Sequence, residues 1–153
     1  GYMKKKRKLG TPSKKVDISD DLKWGLKEEP KVMRALETIF PNWPPFKKLG
    51  KYDHFDFCSW TEDCCCFVEI KSRRNTHDAY EETIIPSKKV RKALRLINLG
   101  HKAVLAIKFT DGIFYVDLEN AIIRFGFNAR TNRGAVELNH YAFIPVHQFE
   151  RIT

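Results

Sequence analysis

One carboxylate and one charged triplet form the part of this sequence best suited to chemistry. Asp56 stands between two phenylalanines, and Glu69-Ile70-Lys71 ends a strongly apolar stretch that begins at Cys64. Side chains of an extended strand alternate between its faces, so Glu69 and Lys71 share one face while Ile70 points to the other. Burying charges beside such a strand is costly unless a function needs them. These residues are therefore the first candidates for a catalytic site.

The pairing of two strands should bring the two carboxylates together. Tyr52–Ser59 and Cys64–Ser72 both have the composition of strands, and a short polar connection joins them. With a turn centred near Thr61-Glu62, Asp56 would lie opposite Phe67 and within diagonal reach of Glu69. Asp53 is an alternative to Asp56, although without a bulge it would point away from Glu69.

Carboxylates that converge on one point favour a hard divalent cation, Mg²⁺ or Mn²⁺. We expect Asp56, Glu69 and the Ile70 carbonyl to be its protein ligands, because Mg²⁺ prefers oxygen and keeps several waters. The cation would polarise a phosphodiester. Lys71 would position or deprotonate the attacking water, or neutralise the transition state. The alternative is that Glu69 and Lys71 form an exposed surface pair on an edge strand.

The same residues carry a resemblance to a known superfamily. Asp56 followed by Phe67-Val68-Glu69-Ile70-Lys71-Ser72-Arg73 resembles the core of the PD-(D/E)XK nucleases, which include restriction endonucleases and archaeal Holliday-junction resolvases. The helix and strand that come next, ending in Ala103–Phe109, are similar to those of small viral and phage members. The resemblance covers about residues 26 to 118, and Phe55 stands where the superfamily often has proline. It implies a metal-dependent endonuclease, with DNA the favoured substrate.

The resemblance also implies a further carboxylate and a way of holding nucleic acid. Many members carry a glutamate on the first helix that reaches the metal, and Glu29 is the best candidate, because it falls on the inward stripe of that helix. Glu28 and Glu37 are alternatives. Basic residues beside the motif and at the start of the next helix are candidate nucleic-acid contacts; they are Arg73, Arg74, Lys88 and Lys89. For the helix lysines and arginines, simple solvation is the other interpretation.

The pattern of apolar and polar residues predicts helices and strands that would position these residues. Their order, α-β-β-α-β-β, indicates a mixed α/β fold with a central mixed sheet flanked by helices. Two helices are predicted: one over Ser19–Phe40 in two pieces, the second beginning at Pro30, and one that Ser87 caps and that runs to Leu99. Beyond the two strands of the candidate site, the predicted strands are Ala103–Phe109, Ile113–Leu118 and the shorter Ile122–Phe127 and Tyr141–Val146. Gly100 should end the second helix. Asn128–Gly134 is predicted to be a loop.

Composition and charge agree with a polyanionic partner. The net charge is +9, and residues 1–16 form a basic tail with seven Lys or Arg, leaving residues 17–153 as a single domain. The run Lys4-Lys5-Lys6-Arg7-Lys8 resembles a nuclear localisation signal, but it could equally be a phosphate-binding arm or a solvated tail. We expect an intracellular protein, nuclear or cytoplasmic, because no signal core or membrane span is visible.

The four cysteines predict free thiols and not a metal site. Cys64, Cys65 and Cys66 are consecutive, so on a strand they point alternately to opposite faces and cannot converge on one ion. Within the DNA endonuclease interpretation, a homodimer that resolves branched DNA and a simple nicking or degradative enzyme both stay open. The alternatives to it are an RNA endonuclease and a nucleic-acid-binding module that keeps the fold without cleaving.

Overall fold

The computed structural model describes residues 29–153, without the side chains of Arg130 and Asn132. The predicted basic tail, the predicted helix before residue 29 and Glu28 all lie outside the described residues. In the part of the chain that is described, each helix is too short or too polar to span a bilayer.

Two helices and nine strands follow one another along the described chain. In chain order they are α1 (29–37), β1 (Lys47–Lys48), β2 (Phe57–Trp60), β3 (Cys65–Ser72), β4 (Glu82–Pro86), α2 (Ser87–Asn98), β5 (Lys102–Phe109), β6 (Gly112–Asp117), β7 (Arg124–Asn132), β8 (Ala135–Pro145), a 3-10 turn (Val146–Gln148) and β9 (Glu150–Arg151). The six strands β1-β2-β3-β5-β6-β9, in this spatial order, form a central sheet. Strands β3 and β5 run parallel, and the other neighbours in the sheet run antiparallel. The predicted mixed α/β fold is confirmed.

Each face of the central sheet is covered by one helix. On one face, Val32 and Leu36 of α1 belong to a buried cluster with Val68 and Ile70 of β3. On the other face, the buried side of α2 packs with alternate residues of β5, among them Leu105. Strand β5 is buried almost throughout, as is usual for a parallel strand covered on both sides. By alternation along β3, Glu69 and Lys71 lie on the α2 side.

A second sheet, in the order β4-β8-β7, lies beside α2. Ile85 of β4 and Ala142 and Ile144 of β8 belong to the same buried cluster as the inward residues of α2. Strands β7 and β8 form a long antiparallel hairpin. Its turn is Arg133-Gly134, where φ is 56° and 79°, which is the conformation that tight hairpin turns need.

The first predicted strand of the hairpin at the candidate site was too long. Strand β2 begins at Phe57 and therefore covers only the last three residues of the predicted Tyr52–Ser59. The preceding residues form a closed loop instead, because Asp53 N–H donates to the Gly50 carbonyl at 3.0 Å and Leu49 N–H donates to the Asp56 carbonyl at 2.8 Å. Asp56 thus lies just before β2, at the end of a loop.

Ser87 was expected to cap α2, and that expectation was wrong. Strand β4 runs directly into the helix, so Pro86 takes the N-cap position and makes no side-chain cap. Ser87 is instead the first helical residue and is buried. The end of the helix was predicted correctly, since Gly100 has a φ of 99°.

The loop predicted over Asn128–Gly134 was also wrong. Most of that segment continues β7, whose register with β8 is unbroken from Arg124↔Phe143 to Asn132↔Ala135. The short strands predicted from local composition are only the base of this hairpin. Cross-strand pairing outweighs the weak strand preference of Asn, Ala and Arg at its outer end.

Candidate active site

Backbone pairing fixes Asp56 beside the charged end of β3. Its N–H donates to the Val68 carbonyl at 2.9 Å, and its Oδ2 accepts from the Ile70 N–H at 2.7 Å. The pairing of β2 with β3 begins at Phe57↔Val68 and is shifted by two residues from the register that would have set Asp56 opposite Phe67. The turn causes the difference, because it is centred one residue later than predicted. Because Asp56 Oδ2 accepts from the residue that follows Glu69, the two carboxylates are neighbours.

Glu69 is a buried carboxylate with an unsatisfied oxygen. Only 5% of the residue is exposed, and Oε1 is the one buried side-chain oxygen or nitrogen in residues 29–153 that has no hydrogen-bond partner. Burial raises the pKa of Glu69, and the negative charge of Asp56 raises it further. Leaving such an oxygen unpaired costs free energy, so the site favours a ligand that supplies positive charge.

Two lysines flank the carboxyl group of Glu69. Lys71 Nζ lies 3.5 Å from Oε2, and Lys89 Nζ lies 3.4 Å from Oε1 without hydrogen-bond geometry. Lys89 Nζ also donates to the His54 carbonyl at 2.6 Å, which ties α2 to the loop before β2. Both ammonium groups lower the pKa of Glu69, but their effects rank below those of burial and Asp56.

The residues present fit a divalent cation. The hydrogen bond from Ile70 uses Asp56 Oδ2 and leaves Oδ1 to a ligand, and Glu69 Oε1 is buried without a hydrogen bond. Asp56 and Glu69 are close enough for the charge of one to raise the pKa of the other. An oxygen-rich pair of like charges that needs neutralisation is the donor set that Mg²⁺ or Mn²⁺ prefers.

A second group of possible metal ligands lies elsewhere. His77, Asp78 and Asp111 offer ligand atoms within 4.8 Å of one another. Their atoms already have protein partners, since His77 Nδ1 lies 2.5 Å from Asp111 Oδ2 and Thr76 donates to Asp78 Oδ1 at 2.9 Å. The hydrogen bond with His77 lowers the pKa of Asp111. We favour Asp56 and Glu69, because within the described residues only Glu69 has a buried side-chain oxygen without a hydrogen bond.

Glu29 contacts a residue next to the centre. Its Oε1 accepts from Lys48 Nζ at 2.8 Å, and Lys48 is followed by Leu49, which donates to the Asp56 carbonyl. Glu37, an alternative for the same role, accepts from the Phe46 N–H at 3.0 Å instead. The role of Glu29 at the metal stays a prediction.

The four predicted nucleic-acid contacts occupy different environments. Arg73 is half-buried and donates to the Ser72 and Ile84 carbonyls, and burial lowers its pKa. Its guanidinium therefore links the end of β3 to β4. Arg74 and Lys88 are exposed. Lys89 points to Glu69 and is part of the centre, which sequence reasoning missed.

A sequence signal for Lys89 did exist. Lys89 precedes Ala93 by four residues and Leu96 by seven, so it shares their side of α2. A lysine on that partly buried side needs a partner, and Glu69 provides one. The prediction was instead that Lys89 contacts nucleic acid, together with Lys88.

Comparisons with known proteins agree with this fold. The model of the family described as "Phage putative PDDEXK endonuclease" matches residues 22–152. Among solved structures, a Holliday junction resolvase (Hjc) from the hyperthermophilic archaeon Archaeoglobus fulgidus is similar in fold. Its TM-score is 0.52 at 11% identity, over 84% of this chain and 91% of the resolvase. None of the curated proteins matches this chain in sequence.

Proposed function

Since the chain belongs to the phage PDDEXK endonuclease family, we propose that Asp56, Glu69, the Ile70 carbonyl and Lys71 form its divalent-metal centre and that it cuts DNA. The observation that carries the proposal is Glu69 Oε1, which is buried beside a second carboxylate and faces Lys89 without a hydrogen bond. A bound Mg²⁺ or Mn²⁺ would supply Lewis-acid polarisation of the scissile phosphate.

The chain's own residues have separate roles in this proposal. The Ile70 N–H holds the Asp56 carboxylate in one orientation, so this ligand is preorganised. Lys71 Nζ, partly exposed at the surface end of the site, would orient the attacking water or stabilise the negative charge that develops on the phosphate. Lys89 would balance the charge of Glu69 before the cation binds.

Glu29 is proposed as a supporting carboxylate. Two consecutive residues, Lys48 and Leu49, connect it to Asp56, because Lys48 donates to Glu29 and Leu49 donates to the Asp56 carbonyl. Removing an outer partner of a metal site commonly costs 10- to 100-fold in metal affinity or activity, so we expect Glu29→Gln to lower cleavage by roughly tenfold.

The basic surface and the charge of +9 support nucleic acid as the substrate. DNA is favoured over RNA, and two modes of action remain. A monomer could nick or degrade DNA, or a homodimer could make paired cuts in branched DNA. Light scattering of the protein with and without a four-way junction separates these modes.

Cleavage assays test the proposal. Wild-type protein is incubated with plasmid, single-stranded DNA, a four-way junction and RNA, each with Mg²⁺, Mn²⁺ or EDTA. We expect metal-dependent DNA cleavage that falls about 100-fold or more in Lys71→Met. Lys102→Met is the matched control and should cleave normally, because Lys102 begins β5 at the opposite end of its pairing with β3.

Three outcomes would contradict parts of the proposal. Full activity of Lys71→Met would remove this lysine from the centre. Cleavage of RNA alone would overturn the choice of DNA. Binding without cleavage under every metal condition would instead favour a nucleic-acid-binding module.

A further inference from the structure

The outer part of the β7–β8 hairpin extends beyond the sheet that supports its base. Strand β4 pairs with β8 only between Tyr141 and Pro145. From Phe127↔His140 to Asn132↔Ala135 the hairpin is therefore two-stranded among the described residues. Six residues per strand span about 20 Å. We call this outer part, Phe127–Asn132 with Ala135–His140, the arm.

One side of the arm continues the core-facing side of its sheet. Alternation places Phe125, Phe127 and Ala129 on the same side as Ala142, which is fully buried at the base. Farther out, the same side also carries Leu138 and Val136, cross-strand partners of Ala129 and Thr131. There the side chains are exposed, with Phe127 at 66%, Leu138 at 62% and Val136 at 73%.

We expect this exposed apolar side of the arm to bind a partner. A two-stranded hairpin is marginally stable in water without packing, and a contiguous exposed apolar patch usually marks an interaction site. The Phe127 ring packs against the His140 ring with centroids 4.7 Å apart, so an aromatic surface is already assembled. A partner with a flat apolar surface would pack against this side of the arm.

The surrounding charge favours a polyanion. Helix α2 has five basic residues and no acidic one, while the arm adds little net charge, with Arg130 on β7 and Glu137 on β8. The Arg91 guanidinium lies 5.4 Å from the Phe125 ring centroid, so this basic helix adjoins the base of the arm. The same helix supplies Lys89 to the candidate active site. A second copy of the chain would bring the same positive charge against itself, whereas nucleic acid would neutralise it.

We propose that the arm binds the nucleic-acid substrate next to the cleavage site by packing Phe127 and Leu138 against unpaired or unstacked bases. Base stacking on aromatic side chains tolerates any sequence, and apolar side chains can enter between base steps. The proposal rests on the proposed function and adds a preference for branched or single-stranded substrates over a continuous duplex.

Binding measured without cleavage tests the arm. In EDTA, fluorescence anisotropy gives the affinity of wild-type protein, Phe127→Ser and Leu138→Ser for single-stranded DNA, a four-way junction and a duplex. We expect each variant to lose roughly tenfold in affinity for the first two ligands and much less for the duplex. The salt dependence should keep its slope, because no phosphate contact is removed.

Matched variants separate this effect from misfolding. Leu99→Ser removes an equally exposed leucine at the end of α2 and should bind as wild type does. Phe127→Trp keeps an aromatic surface and should retain the affinity. Circular dichroism should show wild-type melting for each of these exposed substitutions.

Several results would overturn the proposal. They are unchanged affinity of the arm variants, equal losses on all three ligands, and no binding by wild-type protein. A fall in molecular mass from dimer to monomer in Leu138→Ser would assign the arm to self-association. Cleavage is measured separately from binding. If the wild-type protein cleaves DNA and the arm variants bind with unchanged affinity, only the proposal about the arm is rejected. Arm-dependent binding without any cleavage rejects the proposed function alone.

Discussion

Lys89→Met should destabilise the metal-free protein because it removes the charge that faces Glu69 Oε1. The two atoms are 3.4 Å apart, and Glu69 is almost completely buried. At an effective dielectric constant of about 20, unit charges at that distance attract by about 5 kcal/mol. Breaking a buried ion pair by removing one partner typically costs about 3–5 kcal/mol. For a chain of this length that corresponds to a fall in Tm of roughly 10 °C.

The loss should depend on pH in a defined direction. Burial and Asp56 already raise the pKa of Glu69, and removing Lys89 raises it further. A carboxyl with a raised pKa binds its proton more tightly when folded, so stability falls as pH rises from the unfolded value of about 4.3 towards the raised value. The Lys89→Met defect should therefore be large near pH 8 and small near pH 4.

Differential scanning fluorimetry across pH, with and without Mg²⁺, measures this effect. Added Mg²⁺ should restore part of the lost Tm, since the cation supplies the missing positive charge. Lys88→Met is the matched control; Lys88 is exposed in the same turn of α2, so its change should stay within about 0.5 kcal/mol. A Lys89→Met defect that is equal at both pH values and insensitive to Mg²⁺ would refute the electrostatic reasoning.

Three further predictions concern the rest of the fold. Burial raises the pKa of Cys58 and of Cys66 to about 12, so near pH 8 thiol reagents should label these two cysteines only when the protein unfolds. Fast labelling of all four cysteines in the folded protein would contradict this. Gly112→Ala should lower Tm, because a Cβ there would lie 2.6 Å from the Thr153 carbonyl oxygen; the cost is about 1–3 kcal/mol, and an unchanged Tm would disprove it. Asp111→Asn should be less stable than wild type near neutral pH, because the hydrogen bond with His77 lowers the pKa of Asp111 and stabilises only its ionised form. The difference in stability between the two proteins should disappear below about pH 4, and a difference that stays constant with pH would rule this out.

The sequence predicted the features that depend on strict local periodicity. Glu69 and Lys71 share a face because β3 alternates with period two over eight residues. The four cysteines were correctly predicted to be free thiols. The end of α2 was predicted because Gly100 takes a positive φ with little cost.

Other features depend on tertiary packing and turn geometry, which local patterns do not determine. The predicted register of β2 against β3 was two residues off because the exact turn position sets strand pairing. Lys89 joined the centre only because α2 packs over the face of β3 that carries Glu69. The outer hairpin forms through cross-strand pairing between residues of weak strand propensity.

Calorimetric titration with Mn²⁺ tests the central claim most directly, because two groups of residues compete for the role of metal centre. If Asp56 and Glu69 hold the cation, the heat of binding shown by wild-type protein should be lost in Glu69→Gln and kept in Asp78→Asn. Circular dichroism first confirms that both variants are folded. Mn²⁺ binding that survives in Glu69→Gln and disappears in Asp78→Asn would contradict the account and move the metal to the cluster around His77.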